Sequence, residues 1–163
     1  MRAIRRKEKE IKDKNEIISI LEWAKYITIA MSRDNEPYLV TLSYGYDRRR
    51  NCIYFHCAKE GKKTDILNKN NRVWGQALID KGYVQGACDH LYATAHFMGR
   101  VTFIDNLDEK RQALEVMIKA LDDKPMKVIK KQLTKKSIAD INIGRIDIEY
   151  MSGKKSEKVI ISI

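Results

Sequence analysis

Short runs of alternating apolar and polar residues, separated by turn-forming residues, constrain the fold of this chain more than any other feature. Three such runs follow one another near the start, at residues 25–31, 37–45 and 51–57. Their connections, SRDNE and YDRRR, contain the Asp, Asn and Ser typical of hairpins. The pattern predicts an antiparallel meander.

Strand patterns return in the second half of the chain. They cover residues 72–79, 92–104, 143–151 and 158–163, and a glycine-containing loop is expected over residues 81–90. Six or seven short strands with few prolines predict a mainly β fold, an antiparallel barrel that is closed or partly closed and carries peripheral helices. The length of 163 residues suits one domain, residues 1–163.

Helical spacing of apolar residues appears in three places. An amphipathic helix is expected over residues 8–22, a second begins at the lysines after residue 61, and a third runs over residues 108–121. Asp105 or Asn106 could cap the third helix. The pair Lys124 and Pro125 ends it and precedes a basic helical segment.

Composition and charge narrow the class of protein. The hydrophobic fraction is 44% and the charged fraction 33%, and no apolar run is long enough to span a membrane. The first residues lack a signal-peptide pattern, and the three cysteines suggest free thiols, so a cytoplasmic location is expected.

The formal net charge of +10 raises the possibility of nucleic-acid binding. Much of the excess lies at the N-terminus and over residues 124–136, a stretch that contains six lysines and no acidic or aromatic residue. A solvated helix face is favoured over a nucleic-acid site. Affinity for phosphates stays open.

One stretch, residues 54–67 (YFHCAKEGKKTDIL), joins a strand to a helix in an unusual way. Side chains alternate between the two faces of a strand. One face, the apolar one, has Ile53, Phe55 and Cys57, and the other, more polar face has Cys52, Tyr54 and His56. Lys62 and Lys63 then occupy the first helical turn, where the helix dipole favours an anion rather than a cation. A bound phosphate would explain them, and two solvated surface lysines are the alternative.

The motifs as a set resemble those of the flavin-binding split-barrel family of the pyridoxamine phosphate oxidases, in its nitroimidazole-resistance branch. The resemblance runs over RRKEKEIKDKNEIISIL, EPYLVTLSYGYD, IYFHCAKEGKKTDILNKNNRV, the region of Cys88, ATAHFMGRV and IDIEYMSGKKS. It implies a homodimer with flavin mononucleotide (FMN) in a cleft formed by both subunits. It also implies an oxidoreductase that reduces a small electron-poor substrate, such as a nitroaromatic compound.

The resemblance also implies the site residues. The cofactor contacts it assigns are Thr41, Leu42, Ser43, Tyr44, His56, Ala58, Lys62, Lys63, Tyr92 and Thr94, with the two lysines on the phosphate and residues 41–44 beside the ring. Thr41 stands where the family often has proline, and Thr94 stands where it has serine. His56 is the candidate catalytic residue, and Cys88 a candidate for the substrate pocket.

Several alternatives remain at this point. The protein could bind flavin or haem without catalysis, because a fold does not fix a function. A zinc site could use ligands from the six side chains Cys52, His56, Cys57, Cys88, His90 and His96, although their spacing contains no C-x-x-C pair. Trp23, Trp74 and Phe97 could lie in a subunit interface, but most of them are expected in the core.

Overall fold

A computed structural model describes residues 4–161 of the chain. Its helices are α1 (Lys14–Trp23), α2 (Lys62–Lys69), α3 (Leu107–Leu121), α4 (Pro125–Gln132) and α5 (Lys135–Asp140), preceded by a short 3-10 helix at Lys7–Lys9. Its strands are β1 (Glu10–Ile11), β2 (Tyr26–Arg33), β3 (Glu36–Ser43), β4 (Gly45–Asp47), β5 (Cys52–Cys57), β6 (Arg72–Val84), β7 (Asp89–Ile104) and β8 (Asn142–Lys155).

The eight strands form a single antiparallel sheet in the order β3-β2-β6-β7-β8-β5-β4, with β1 paired to β8. The sheet curls so that β3 and β5 approach each other, but these two strands do not pair. The barrel is therefore open on this side, and the predicted mainly β split barrel with peripheral helices is confirmed. The short strands β1 and β4 raise the strand count to eight.

The hydrophobic core has two parts. The larger one fills the barrel with the inward side chains of the strands and with α1, and it includes Ile20, Ile27 and Phe97, all fully buried. The smaller one lies between β5, β8 and helices α3 and α5, and it includes Cys52 and Tyr54. Strand β5 is thus buried on both faces from Cys52 to Phe55. The prediction that Cys52 and Tyr54 lie on a more polar face was therefore wrong.

Three predicted elements differ in extent. Helix α1 begins at Lys14 rather than near residue 8, because the Asp13 side chain caps it by accepting a hydrogen bond from the Asn15 amide at 2.8 Å. The expected loop over residues 81–90 is largely a continuation of the β6–β7 hairpin. The two closing strand segments are one strand, β8, and residues 158–161 are not in a strand, while residues 162 and 163 lie outside the described part.

The meander prediction was correct for β2 and β3 but wrong for β5. Strand β5 pairs with β4 and β8, and not with β3. Local alternation identifies strands, but partners from distant parts of the chain are chosen by burial.

Helix α3 begins at Leu107, and Asn106 caps it by accepting a hydrogen bond from the Glu109 amide. Asn106 is one of the two caps that the sequence predicted, the other being Asp105.

Outward-facing side chains of β3, β2, β6 and β7 form a continuous surface, here called the outer face. Its members are Leu39, Thr41 and Ser43 of β3, Tyr26, Thr28 and Ala30 of β2, Trp74, Gln76 and Leu78 of β6, and His96 of β7. Trp74 is 41% exposed and Leu78 is 48% exposed.

Most of the three large aromatic residues Trp23, Trp74 and Phe97 were expected in the core. This was wrong for Trp23 and Trp74, which are exposed, while Phe97 is in the core.

The six lysines of residues 124–136 are all exposed on or beside α4 and α5. Ile129 of α4 and Ile138 of α5 are the buried residues of these two helices.

Within residues 4–161, no helix is both long enough and apolar enough to cross a membrane.

Candidate anion site at the N-terminus of helix α2

The first turn of α2 is an uncapped helix start that carries two lysines. Lys62 and Lys63 are its first residues, as predicted, and Gly61 precedes them with φ +134°, a conformation that favours glycine. The Asp65 amide donates to the Gly61 carbonyl at 3.0 Å. The amides of Lys62, Lys63 and Thr64 come before this first intrahelical bond, and no described side chain caps them.

Space is open in front of this helix start. A Cβ atom added at Gly61 would meet no other atom within 4 Å. The free amide groups, the positive end of the helix dipole and two lysines therefore occur together in this one turn, next to the open space at Gly61. This arrangement fits the phosphate of a nucleotide cofactor.

The two lysines rest on aromatic rings. The Lys62 Nζ atom lies 4.9 Å from the centroid of the Tyr38 ring, and the Lys63 Nζ atom lies 5.5 Å from that of Phe55. Cation–π contacts of this kind stabilise the charged ends in place. The lysines are thus held by β3 and β5, the two strands on either side of the barrel opening.

Two residues that sequence reasoning missed fix the loop before α2. The Thr64 hydroxyl donates to the Ala58 carbonyl at 3.3 Å, and the Asn142 side-chain amide donates to the same carbonyl, also at 3.3 Å. Ala58 itself is exposed. The role of Thr64 could have been predicted, because its hydroxyl lies in the first turn of α2, close in sequence to Ala58. The role of Asn142 could not, because Asn142 is far from Ala58 in sequence.

The predicted ring-contact segment, residues 41–44, ends the edge strand of the sheet. Strand β3 pairs only with β2, so alternate backbone groups on its other side have no sheet partner. Thr41 and Ser43 lie on the outer face, and the Thr41 hydroxyl is 3.1 Å from that of Thr28. Leu42 is half-buried, and Tyr44 is buried with its hydroxyl donating to the Leu21 carbonyl at 2.6 Å.

Tyr92 and Thr94 lie on β7, away from the residues of β3 and α2. Thr94 is opposite Leu78 of β6, and the sheet order places β2 and β6 between β3 and β7. Three strand spacings amount to about 14 Å. The Thr94 hydroxyl is buried and donates to the Lys154 carbonyl at 3.2 Å. Within one chain, the structure does not bring these residues to the anion site.

His56 and Cys88 are likewise separate from the lysines. His56 is exposed at the end of β5 and leaves the strand on the face opposite Phe55, over which Lys63 lies. Cys88 is exposed at the tip of the β6–β7 hairpin with φ +47°. The catalytic role of His56 and the pocket role of Cys88 stay predictions.

The candidate zinc ligands are dispersed. Cys52 is buried and Cys88 is exposed at the far hairpin, while the Nε2 atom of His90 lies 2.7 Å from an oxygen of Asp80. Among residues 4–161, no three His, Cys, Asp or Glu side chains come close enough together to hold a metal ion.

His96 occupies the middle of the outer face. It is opposite Gln76 of β6, which is opposite Thr28 of β2, and it lines a small groove of about 170 Å³ together with Trp74. Burial, with a smaller contribution from the charge of Lys154, lowers the pKa of His96 below its usual value of about 6.5. His96 therefore favours the neutral imidazole.

This lowered pKa predicts a loss of stability on acidification. Between pH 7.5 and pH 5.5 the unfolded chain takes up a proton at His96 more readily than the folded chain, so the free energy of unfolding should fall. His96→Gln should reduce this fall. Urea unfolding of both proteins at the two pH values, at one protein concentration, measures it, and equal falls in the two proteins would show that His96 does not contribute.

The chain is similar to one protein family and to a set of solved structures. The family model of pyridoxamine 5'-phosphate oxidase matches residues 13–155. No curated protein matches the chain.

Solved structures with the same fold cover nearly the whole chain. A candidate 5-nitroimidazole antibiotic resistance protein from Bacteroides thetaiotaomicron is 25% identical with a TM-score of 0.75, and the match covers 89% of this chain and 85% of that one. The flavocytochrome Anf3 from Azotobacter vinelandii is 14% identical with a TM-score of 0.80, covering 99% and 75%. A FAD-binding protein from Mesorhizobium loti is 22% identical with a TM-score of 0.64, covering 88% and 95%.

The first of these structures agrees with the nitroimidazole-resistance branch that the sequence motifs indicate. The two less similar ones support the fold alone. Because the family model spans most of the strands and both ends of the sheet, the chain belongs to the pyridoxamine 5'-phosphate oxidase family.

Proposed function

We propose that this protein binds FMN, with the phosphate at the N-terminus of α2. The observation that carries the proposal is the uncapped first turn of α2, where Gly61 leaves open space beside Lys62 and Lys63. A dianionic phosphate would accept hydrogen bonds from the free amides and the two ammonium groups. Membership of the pyridoxamine 5'-phosphate oxidase family, whose flavin-binding motifs the sequence resembles, supports a flavin.

The ring would lie along the end of β3. Backbone groups of residues 41–44 on the unpaired side of the strand are suited to polar ring atoms, and the hydroxyls of Thr41 and Ser43 add further donors. When bound, the flavin supplies redox chemistry. The chain supplies the anion site, the orientation and the exclusion of water.

The outer face supports a homodimer as part of this proposal. It exposes Leu39 (64%), Tyr26 (63%), Trp74 and Leu78 together, which is an apolar surface of the kind that subunit interfaces cover. A second copy packed there would bring its own Tyr92 and Thr94 towards the β3 end of the first. Tyr92 and Thr94 of one subunit and residues 41–44 of the other could then contact the same flavin, although these residues are far apart within one chain.

Reduction of a small electron-poor substrate, such as a nitroaromatic compound, is the activity that we propose for the bound flavin. It is supported by the similarity to a candidate 5-nitroimidazole resistance protein. His56 is exposed and is itself a predicted cofactor contact, and it is retained as the candidate proton donor.

The absorption spectrum of the purified protein tests the proposal. We expect flavin bands, or their appearance when FMN is added, and we expect the cofactor released by denaturation to be FMN. Release of FAD would correct the cofactor, and a sharp haem band in place of the flavin bands would favour haem binding. A protein that carries no flavin and takes up neither FMN nor FAD would contradict the proposal.

A further inference from the structure

One cavity of the described residues lies apart from the anion site. It has a volume of about 590 Å³ and lies between the C-terminal end of α1, β4 with the turn that follows it, and α3. We call it the α3 cavity. No residue of α2 lines it, and Tyr44 is the one predicted flavin contact that does.

The floor of the α3 cavity is apolar and rigid. Leu21, Tyr44 and Val116 form much of it. The Tyr44 ring is fixed by its hydrogen bond to the Leu21 carbonyl, and the backbone of β4 packs so closely on α3 that a Cβ at Gly45 would lie 2.8 Å from the Met117 backbone. A cavity of this size with a preformed apolar floor is typical of small-molecule sites.

The carboxylates that line the α3 cavity already have partners. Asp47 accepts hydrogen bonds from the Arg49 and Arg50 amides at 3.0 and 3.2 Å, and one from the side-chain amide of Gln112 at 3.4 Å. Glu115 forms an ion pair with Arg111 at 3.2 Å. The oxygens of both carboxylates are therefore engaged by groups of the protein.

Two cations of the lining have no such partners. The side chains of Arg49 and Lys119 form no hydrogen bond or ion pair with any residue of the described range 4–161. The third cation, Arg48, is held in place because it donates to the Asn15 side chain at 2.8 Å and lies 3.9 Å from Glu22. The lining carries three formal negative and three formal positive charges, and Arg49 and Lys119 are the charged side chains of the lining that remain available to a ligand.

We propose that the α3 cavity binds a small organic anion with a flat apolar body, of the class of aromatic carboxylates. The apolar body would contact Leu21 and Val116, and the carboxylate would accept hydrogen bonds from Arg49 and Lys119. This site is separate from the flavin site, and the proposal does not depend on flavin binding.

Isothermal titration with 1-naphthoate tests the proposal on the protein as purified, in the presence of excess FMN. We expect saturable binding of one naphthoate per chain, at least about tenfold tighter than binding of the neutral analogue 1-naphthalenemethanol, because a charged hydrogen bond is lost in the analogue. Amide NMR shifts should cluster at residues 44–49 and 112–120.

Matched variants locate the anion-binding groups. The double variant Arg49→Ala with Lys119→Ala should weaken naphthoate binding about tenfold and leave binding of the neutral analogue unchanged. Lys130→Ala with Lys131→Ala removes the same charge from an exposed part of α4 and should change neither. Val116→Trp should fill the cavity and abolish the binding of both compounds.

Four results would overturn the proposal. Three are the absence of saturable naphthoate binding, equal affinity for naphthoate and its neutral analogue, and NMR shifts confined to the outer face around Trp74 and His96. The fourth is displacement of naphthoate by FMN, since the two sites would then be one. If Val116→Trp does not fold, the Arg49 and Lys119 variant, which leaves the cavity floor intact, decides the outcome.

Discussion

Replacing Lys62 and Lys63 together by alanine is expected to weaken FMN binding by on the order of a hundredfold or more. Both lysines belong to the first turn of α2, where the phosphate is proposed to bind, and a hydrogen bond between charged groups contributes roughly 1.5 to 3 kcal/mol. With about 1.4 kcal/mol for each tenfold change in affinity, two such bonds account for this loss. Fluorescence titration of the flavin-free protein with FMN measures the two dissociation constants.

The control for this variant is Lys130→Ala with Lys131→Ala, which removes equal charge from an exposed face of α4. It should bind FMN as the unmodified protein does. Lys62→Arg with Lys63→Arg should restore most of the affinity, because guanidinium groups also bind phosphate. A folded alanine variant whose FMN affinity is unchanged would refute the assignment of the phosphate to α2.

Placing two negative charges on the outer face is expected to dissociate the proposed dimer. In Trp74→Glu with Leu78→Glu, both carboxylates would be buried without partners at the interface, and each such charge costs several kcal/mol. The dimer dissociation constant should rise by at least about a thousandfold. Sedimentation equilibrium measures it, and FMN titration of the same samples shows whether the cofactor is lost along with the dimer.

The chain offers a control for this variant elsewhere on its surface. Leu107 and Met126 are 52% and 68% exposed, and both lie on helices away from the outer face. Leu107→Glu with Met126→Glu should leave the oligomeric state unchanged. A monomeric unmodified protein would contradict the proposed dimer, and a monomeric variant with full FMN affinity would show that one subunit suffices for the flavin.

Features determined by local sequence were predictable. The alternation in β2, β3 and β7 identified strands, and the glycine followed by Lys62 and Lys63 placed the start of α2 where the structure has it. In each case the signal lies within one short segment. The alternation of apolar and polar side chains shows which side of the segment is buried, although it does not show which strand is the partner.

Features that depend on distant partners were not predictable in the same way. Cys52 and Tyr54 seemed to form a polar face, but α3 and α5 cover them from the second half of the chain. The support of the Ala58 carbonyl by Asn142 depends on the pairing of β5 with β8. Separation of Thr94 from residues 41–44 depends on the order of strands in the sheet, which alternation does not encode.

The central position of β8 has a consequence for how a new chain matures. Strand β8 pairs with β1, β5 and β7, and the β4–β5 hairpin has no other strand through which to join the sheet. Pairings between such distant segments, as between Cys52 and Asp147, form late because closing long loops is slow. Helix α2 follows β5 directly, and the loop between them is held by the hydrogen bond from Asn142 of β8 to the Ala58 carbonyl. During synthesis, the loop before α2 is therefore completed only after β8 has emerged, and capture of the proposed cofactor would be a closing step of maturation.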